Sequence, residues 1–176
     1  IPPLKSSPRN RVTAVASRDL AKAEAYAREW EIPRALGSYE ALLADPEIDV
    51  IYIPLPNQLH AEWAIRALEA GKHVLCEKPL ATTIEDVREI HALAGKHKGV
   101  FWVGMEYRYM PPAARFIEEV AAGKIGRLTM LAIREHRFPF LKKVGDWNRF
   151  SKNTGGTMVE KCCHFFDLMR LIVKAK

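Results

Sequence analysis

Two stretches hold side chains able to move a proton. The first is Glu77-Lys78-Pro79, within Gly71–Leu80, where the apolar run Val74-Leu75-Cys76 reads as a strand. Pro79 has no N–H to extend a ladder, and it biases Lys78 towards extended backbone. A lysine so placed has its backbone held and its ammonium aimed off the strand's carboxyl end, the edge where open α/β sheets bind ligands. A solvated Glu-Lys pair before a turn would have the same sequence. The second stretch is Thr157–Val173, read as one helix after Gly155-Gly156. Residues four apart are offset by about 40° around a helix, so Glu160 and His164 share a face, with Asp167 a turn beyond. A histidine oriented by a carboxylate is the arrangement that general acid–base catalysis uses. The competing readings are a capping box at Thr157-x-x-Glu160 and plain helix electrostatics. Met158, Cys162, Phe165, Met169 and Ile172 form the apolar stripe of that helix.

Two further positions suit a nucleotide. Ser17 and Arg18 follow the β-type run Arg11–Ser17, with Asp19 one step later. In a dinucleotide-binding unit an acidic residue at this place meets the ribose of NAD, whereas an arginine accommodates the 2′-phosphate of NADP. A hydroxyl and a guanidinium suit a phosphate, so NADP is preferred over NAD. Alternatively, Ser17 and Asp19 begin a helix and Arg18 is solvated. Asn57 and His60 lie in Pro54-Leu55-Pro56-Asn57-Gln58-Leu59-His60, directly after a buried strand. Both suit cofactor contact, although Asn57 also suits a helix cap and His60 a packing role.

These residues need a frame. Strands are expected at Arg11–Ser17, Val50–Pro54, His73–Cys76 and Val100–Gly104. Helices are expected over Leu20–Trp30, Ser38–Ala44, Asn57–Ala70 and from Thr82-Thr83 to about Lys98. Ile1–Ser7 reads as the end of a helix. Strands alternating with helices at short spacing predict an α/β fold with a doubly wound parallel sheet. After Gly104 the pattern changes. Pro111–Ala122 reads as a helix, Arg127–Arg137 as a longer strand and Phe138–Asn153 as a basic, aromatic loop. The expected division is a dinucleotide-binding domain at 1–104 and part of a second domain at 105–176.

Composition narrows the class. The 176 residues are 48% hydrophobic and 27% charged, ordinary for a globular protein. No apolar run approaches the roughly 18 residues of a membrane span. Three cysteines, Cys76, Cys162 and Cys163, have neither disulfide-framework nor metal spacing, and a cytoplasmic protein with free thiols is expected. No metal is expected. The net charge of +6 comes from dispersed residues without a basic, aromatic stripe. It fits an anionic small ligand better than nucleic acid.

The string from Pro56-Asn57-x-x-His60 through Ala67-Leu68-Glu69-Ala70-Gly71-Lys72-His73-Val74-Leu75-Cys76-Glu77-Lys78-Pro79-Leu80 closely resembles the glucose-fructose oxidoreductase / inositol dehydrogenase family (Gfo/Idh/MocA). Gly155-Gly156 followed by acid-x-x-x-His-x-x-Asp is similar to that family's second motif. The resemblance implies a Rossmann domain, an α/β substrate domain with a large open sheet, and NAD(P)-dependent oxidation of a sugar or polyol, or the reverse. It implies that Lys78 binds substrate and assists proton transfer, and that His164 is the acid/base. The family's aspartate falls on Glu160, one methylene longer. Asn57 and Glu77 fall where relatives meet the ribose or nicotinamide end. Arg108, Trp147 and Arg149 lie in segments bordering cofactor or substrate.

The family also begins with a strand and a Gly-x-Gly-x-x-Gly turn that holds the pyrophosphate. This chain has neither, and it is short of most of the second domain's sheet, the family's usual subunit contact. The expectation is an internal fragment, lacking the pyrophosphate site, of a homo-oligomeric oxidoreductase. The alternatives are a non-catalytic NAD(P)-binding regulator of the same fold and an inactive truncation.

Overall fold

Short apolar runs bounded by helix caps make the frame of the protein. Its computed structural model describes residues 1–136 and 143–174. Helix α1 (Pro2–Ser6) leads to strand β1 (Ala14–Ala16) and helix α2 (Leu20–Glu29), whose cap Asp19 accepts from the Lys22 amide at 3.3 Å. Strand β2 (Arg34–Leu36) and helix α3 (Tyr39–Ala44) follow, then β3 (Val50–Ile53), a 3-10 turn at Asn57–Leu59 and α4 (His60–Glu69). Next come β4 (His73–Glu77), α5 (Ile84–Ala94) and β5 (Phe101–Gly104). Thr83 caps α5 through the Asp86 amide at 3.2 Å. Such a cap stabilises by about 1 kcal/mol.

Among the described residues all strand pairings are parallel, in two sheets ordered β1-β2 and β3-β4-β5. In the Rossmann order 3-2-1-4-5-6 they correspond to positions 2 and 3 and positions 4 to 6. Ile51, Ile53, Val74 and Cys76 point to one face, where α4 and α5 cover them with Ala64, Ala67, Leu68 and Ile90. Ala64 and Ala67 are fully buried, and their small side chains let the α4 backbone lie close to the sheet. Gly71 (φ +74) ends α4 in the left-handed region that glycine adopts without penalty.

The later segments depart from expectation. Helix α6 (Pro111–Ala121) forms as anticipated, but residues 127–136 are irregular instead of a strand, and Met130 is 81% exposed. Their period-two alternation has no described strand to pair with, and a lone strand leaves its backbone groups to water. Arg137 and residues 138–142 of the expected loop lie outside the described residues. The remainder of that loop holds a 3-10 turn (Val144–Arg149) and α7 (Ser151–Thr154). The single closing helix is two, α8 (Thr157–Glu160) and α9 (Cys163–Val173). The cap of α8 is Gly156 with no side-chain bond, so the capping-box reading of Thr157 and Glu160 fails. Met158 is exposed, while Lys161, His164, Leu168 and Ile172 are buried. Among the described residues no helix is long and apolar enough to cross a membrane.

Ile90 has no exposed surface and joins α5 to the sheet. Ile90→Ala is expected to lower unfolding free energy by about 3 kcal/mol, measured by urea denaturation, through lost burial and the cavity left behind.

Candidate active site

The carboxyl ends of β3, β4 and β5 make one rim. Glu77 ends β4, and its Oε1 accepts from the Tyr52 hydroxyl on β3 at 2.7 Å. Burial and that carboxylate push the Tyr52 phenol well above its usual range. Gly104, opposite Glu77 in β5, leaves room for the carboxylate: a Cβ there would sit 3.2 Å from Glu77 Oε2. The Lys78–Pro79 peptide is cis.

From this rim Lys78 reaches 82 residues along the chain, and its Nζ donates to the Glu160 carbonyl oxygen at 3.0 Å. A continuous helix would offer that carbonyl to the His164 amide. The lysine therefore caps α8, and the chain turns at Lys161-Cys162 before α9. The break changes the expected geometry of Glu160. Its side chain has no hydrogen bond or ion pair among the described residues, and its part in the junction is its carbonyl. The carboxylate beside His164 is instead Glu106, at 3.4 Å from Nε2.

His164 is 2% exposed, and its Nδ1 is buried without a partner among the described residues. The Tyr107 ring stacks on the imidazole, with centroids 4.0 Å apart and planes 8° from parallel. Burial, then the cations Lys78 and Lys161, push the imidazole down to about 4, against opposition from Asp167 and Glu135. It is thus neutral at pH 7, the form that accepts a proton.

Asp167 lies on α9 but is paired with Arg108: its Oδ2 accepts from Nε at 2.6 Å and its Oδ1 binds Nη2. The Asp167 bond holds the Arg108 guanidinium above its usual range, against the cost of burial. This two-point contact locks the Glu106–Tyr109 turn to α9. The sequence expectation set Arg108 against the cofactor, whereas its fork is occupied within the protein.

His60 departs similarly. It is 1% exposed, and its Nδ1 and Nε2 lie 2.7 Å from the carbonyl oxygens of Pro79 and Leu55. Both ring nitrogens are occupied by backbone, so His60 staples the β3–α4 turn to the Lys78-Pro79 turn instead of facing a cofactor. Asn57 opens the 3-10 turn after β3; it is 5% exposed, and its Nδ2 is buried without a partner among the described residues. It is not a side-chain cap of the helix. An orphaned donor at a strand end fits a bound nucleotide.

Ser17 and Arg18 stand at the end of β1, in the other sheet. The Ser17 hydroxyl accepts from the Asp19 amide at 3.2 Å, and the Arg18 side chain is exposed with no ion pair among the described residues. Trp147 and Arg149 belong to the 3-10 turn before α7, and α7 packs on the Asn57 turn. Arg149 is paired with Asp146 at 3.4 Å. Cys76 is a core thiol, pushed up to about 12 by burial and then by Glu77. No group of metal-binding residues occurs among the described residues. Glu106, Tyr107, Glu135 and Lys161 carried no pattern in the sequence, because their meeting depends on contacts 26 and 54 residues apart.

Comparison with known proteins supports this architecture. A family model described as an oxidoreductase family, NAD-binding Rossmann fold, matches residues 1–105, and one for the family's C-terminal alpha/beta domain matches residues 117–175. The chain belongs to the Gfo/Idh/MocA oxidoreductase family. Among the relatives of this Gfo/Idh/MocA protein, a D-xylose 1-dehydrogenase (NADP(+)) of Haloferax volcanii is 43% identical over 98% of the chain and 52% of the relative. A 3-ketoreductase from Actinomadura kijaniata, solved in complex with NADP, is 35% identical over 71% of this chain and 40% of its own, with a TM-score of 0.63. A levoglucosan dehydrogenase, solved with NADH and levoglucosan, is 27% identical over 93% of this chain and 45% of its own, with a TM-score of 0.79. The chain thus spans about half the length of the xylose dehydrogenase it matches.

The buried His164 links stability to pH. Its imidazole titrates at its ordinary 6.5 when unfolded and at about 4 in the fold. Between these values the unfolded chain binds the extra proton, so stability falls as pH drops from 6.5 towards 4. Between pH 7 and pH 4 the wild type should lose roughly 2–3 kcal/mol more than His164→Gln, in urea titrations of both.

Proposed function

We propose that the protein is an NAD(P)-dependent oxidoreductase of a sugar, polyol or related alcohol or carbonyl compound. The observation that carries this reading is the meeting of Lys78, from the end of β4, with the turn that leads into His164. The relatives, a D-xylose 1-dehydrogenase and a 3-ketoreductase among them, support the substrate class.

When bound, the nicotinamide supplies the hydride acceptor or donor. In the oxidation direction a substrate hydroxyl lies between the Lys78 ammonium and the imidazole of His164. The ammonium donates a hydrogen bond to the oxygen as negative charge grows on it, and the neutral His164 takes its proton. Reduction reverses the path, with His164 returning the proton. Glu160 acts through its carbonyl by steering Lys78. Asn57 and Glu77 hold the ribose or nicotinamide end, Ser17 and Arg18 the 2′-phosphate of NADP, and Trp147 and Arg149 border the site. The cofactor-binding part is residues 1–104 and the substrate-binding part begins at 105. A cytoplasmic setting, on the free thiols, and a homo-oligomeric complete protein, on the resemblance, belong to the same reading.

In the complete polypeptide, assayed with NADP and a panel of aldoses and polyols beginning with D-xylose, Lys78→Ala is expected to lower kcat/KM by a factor on the order of 10³. Turnover within a few-fold of wild type would remove Lys78 from the mechanism. Failure of every substrate to reduce NADP, with NADP still bound, would favour a sensor over an enzyme. Separately, Arg18→Ala should raise KM for NADP about tenfold and leave KM for NAD unchanged, since only the former has a phosphate for the guanidinium. An equal effect on both would return Arg18 to the solvated surface.

A further inference from the structure

A second lysine stands behind the site, and the mechanism above does not use it. Lys161 is 7% exposed, a rare state for a lysine unless its charge is answered. Its ammonium binds the Tyr107 hydroxyl and the Glu135 carboxylate, with Oε2 at 2.9 Å. The Tyr107 hydroxyl in turn donates to Glu135 Oε1 at 2.6 Å. The ammonium also lies 4.6 Å from the centre of the Tyr107 ring and 5.6 Å from that of Phe165. Burial works against the charge, but the bonds to Tyr107 and Glu135 outweigh it and lift the ammonium above its usual range. Tyr107 is the ring that lies flat on His164.

We propose that Lys161 is a positioning residue: it clamps Tyr107 and Glu135 so that the Tyr107 ring fixes the plane of His164 and shields it from water. This rests on His164 being the proton acceptor of the proposed reaction. Lys161 is not itself a catalytic residue, because its donors are directed to Tyr107 and Glu135. An apolar residue would fill the same turn without a buried charge to satisfy, so the observed lysine points to a role beyond packing. The charged groups facing His164 are Lys78 from the end of β4, Glu106 from the turn after β5, Glu135 from the 127–136 segment, and Lys161 and Asp167 from its own segment. Asp167 is neutralised by Arg108. Removing Lys161 therefore takes one of two cations from the imidazole and loosens the ring that covers it. Both changes favour the protonated form.

The experiment is NMR titration of the His164 ring in the 176-residue chain, wild type against Lys161→Met and Lys161→Arg. Lys161→Met is expected to raise the His164 pKa by at least about half a unit, and Lys161→Arg, which keeps the charge, to return it towards wild type. In the complete polypeptide, Lys161→Met should lower kcat about tenfold with KM little changed and shift the acid limb of the rate profile upward with the titration. An unmoved His164 titration in Lys161→Met overturns the proposal. If that variant does not fold, Lys161→Gln keeps a donor for Tyr107 and Glu135 while removing the charge. A smaller rise is expected there, from the lost charge alone, and an unchanged titration is equally decisive against the proposal. The NMR result needs no substrate. A shifted titration in a protein that turns nothing over would defeat the oxidoreductase reading and leave the positioning role standing.

Discussion

The hydrogen bond from Lys78 Nζ to the Glu160 carbonyl holds the site together. A parallel strand can do no more than deliver a side chain to its carboxyl end; something across the rim must decide where that side chain stops. The Glu160 carbonyl does so. By accepting Lys78 it gives up its usual place in a helix, and α8 ends there. The chain then turns through Lys161-Cys162 and restarts as α9 with His164 in its first turn. One bond thus positions the lysine, divides the helix and aims the histidine.

The electrostatics follow from that junction. His164 is buried between two lysines, and its nearest carboxylate, Glu106, is half-exposed to water. Burial disfavours a charged imidazole, and two cations disfavour it further. In the proposed reaction the same cations would favour negative charge on a substrate oxygen beside them. A neutral base and a stabilised alkoxide are what removal of a hydroxyl proton asks of a site. Asp167 takes no direct part, because Arg108 holds it in a two-point pair that fixes the Glu106–Tyr109 turn against α9.

The Rossmann half was legible in the sequence because most of its strands are apolar runs and three of its helices begin at Asp19, Ser38 and Thr83, each a true side-chain cap. Lys78, at a strand end before proline, and His164, on a helix face with Glu160, stood out in the sequence, and the fold brings the Lys78 ammonium to the turn before α9. The failures have physical causes. Strand β2, Arg34–Leu36, has no apolar run of its own and forms by pairing with β1. The alternation at 127–136 promised a strand but found no partner. Periodicity gave one helix from Thr157 to Val173, because spacing along a chain cannot register a lysine from residue 78 claiming a carbonyl. His60 was read towards a ligand, whereas two backbone carbonyls hold its ring. Glu106, Tyr107, Glu135 and Lys161 meet only in the fold.

The most direct test of the account is a double-mutant cycle on kcat/KM in the complete polypeptide, with Lys78→Met, His164→Gln and the pair. If the two side chains handle one proton on one oxygen, removing either disables the step. The double variant is then expected to be no more than a few-fold worse than the weaker single variant. If the two losses multiply, Lys78 and His164 act independently, and the junction at Glu160 does not build a single site.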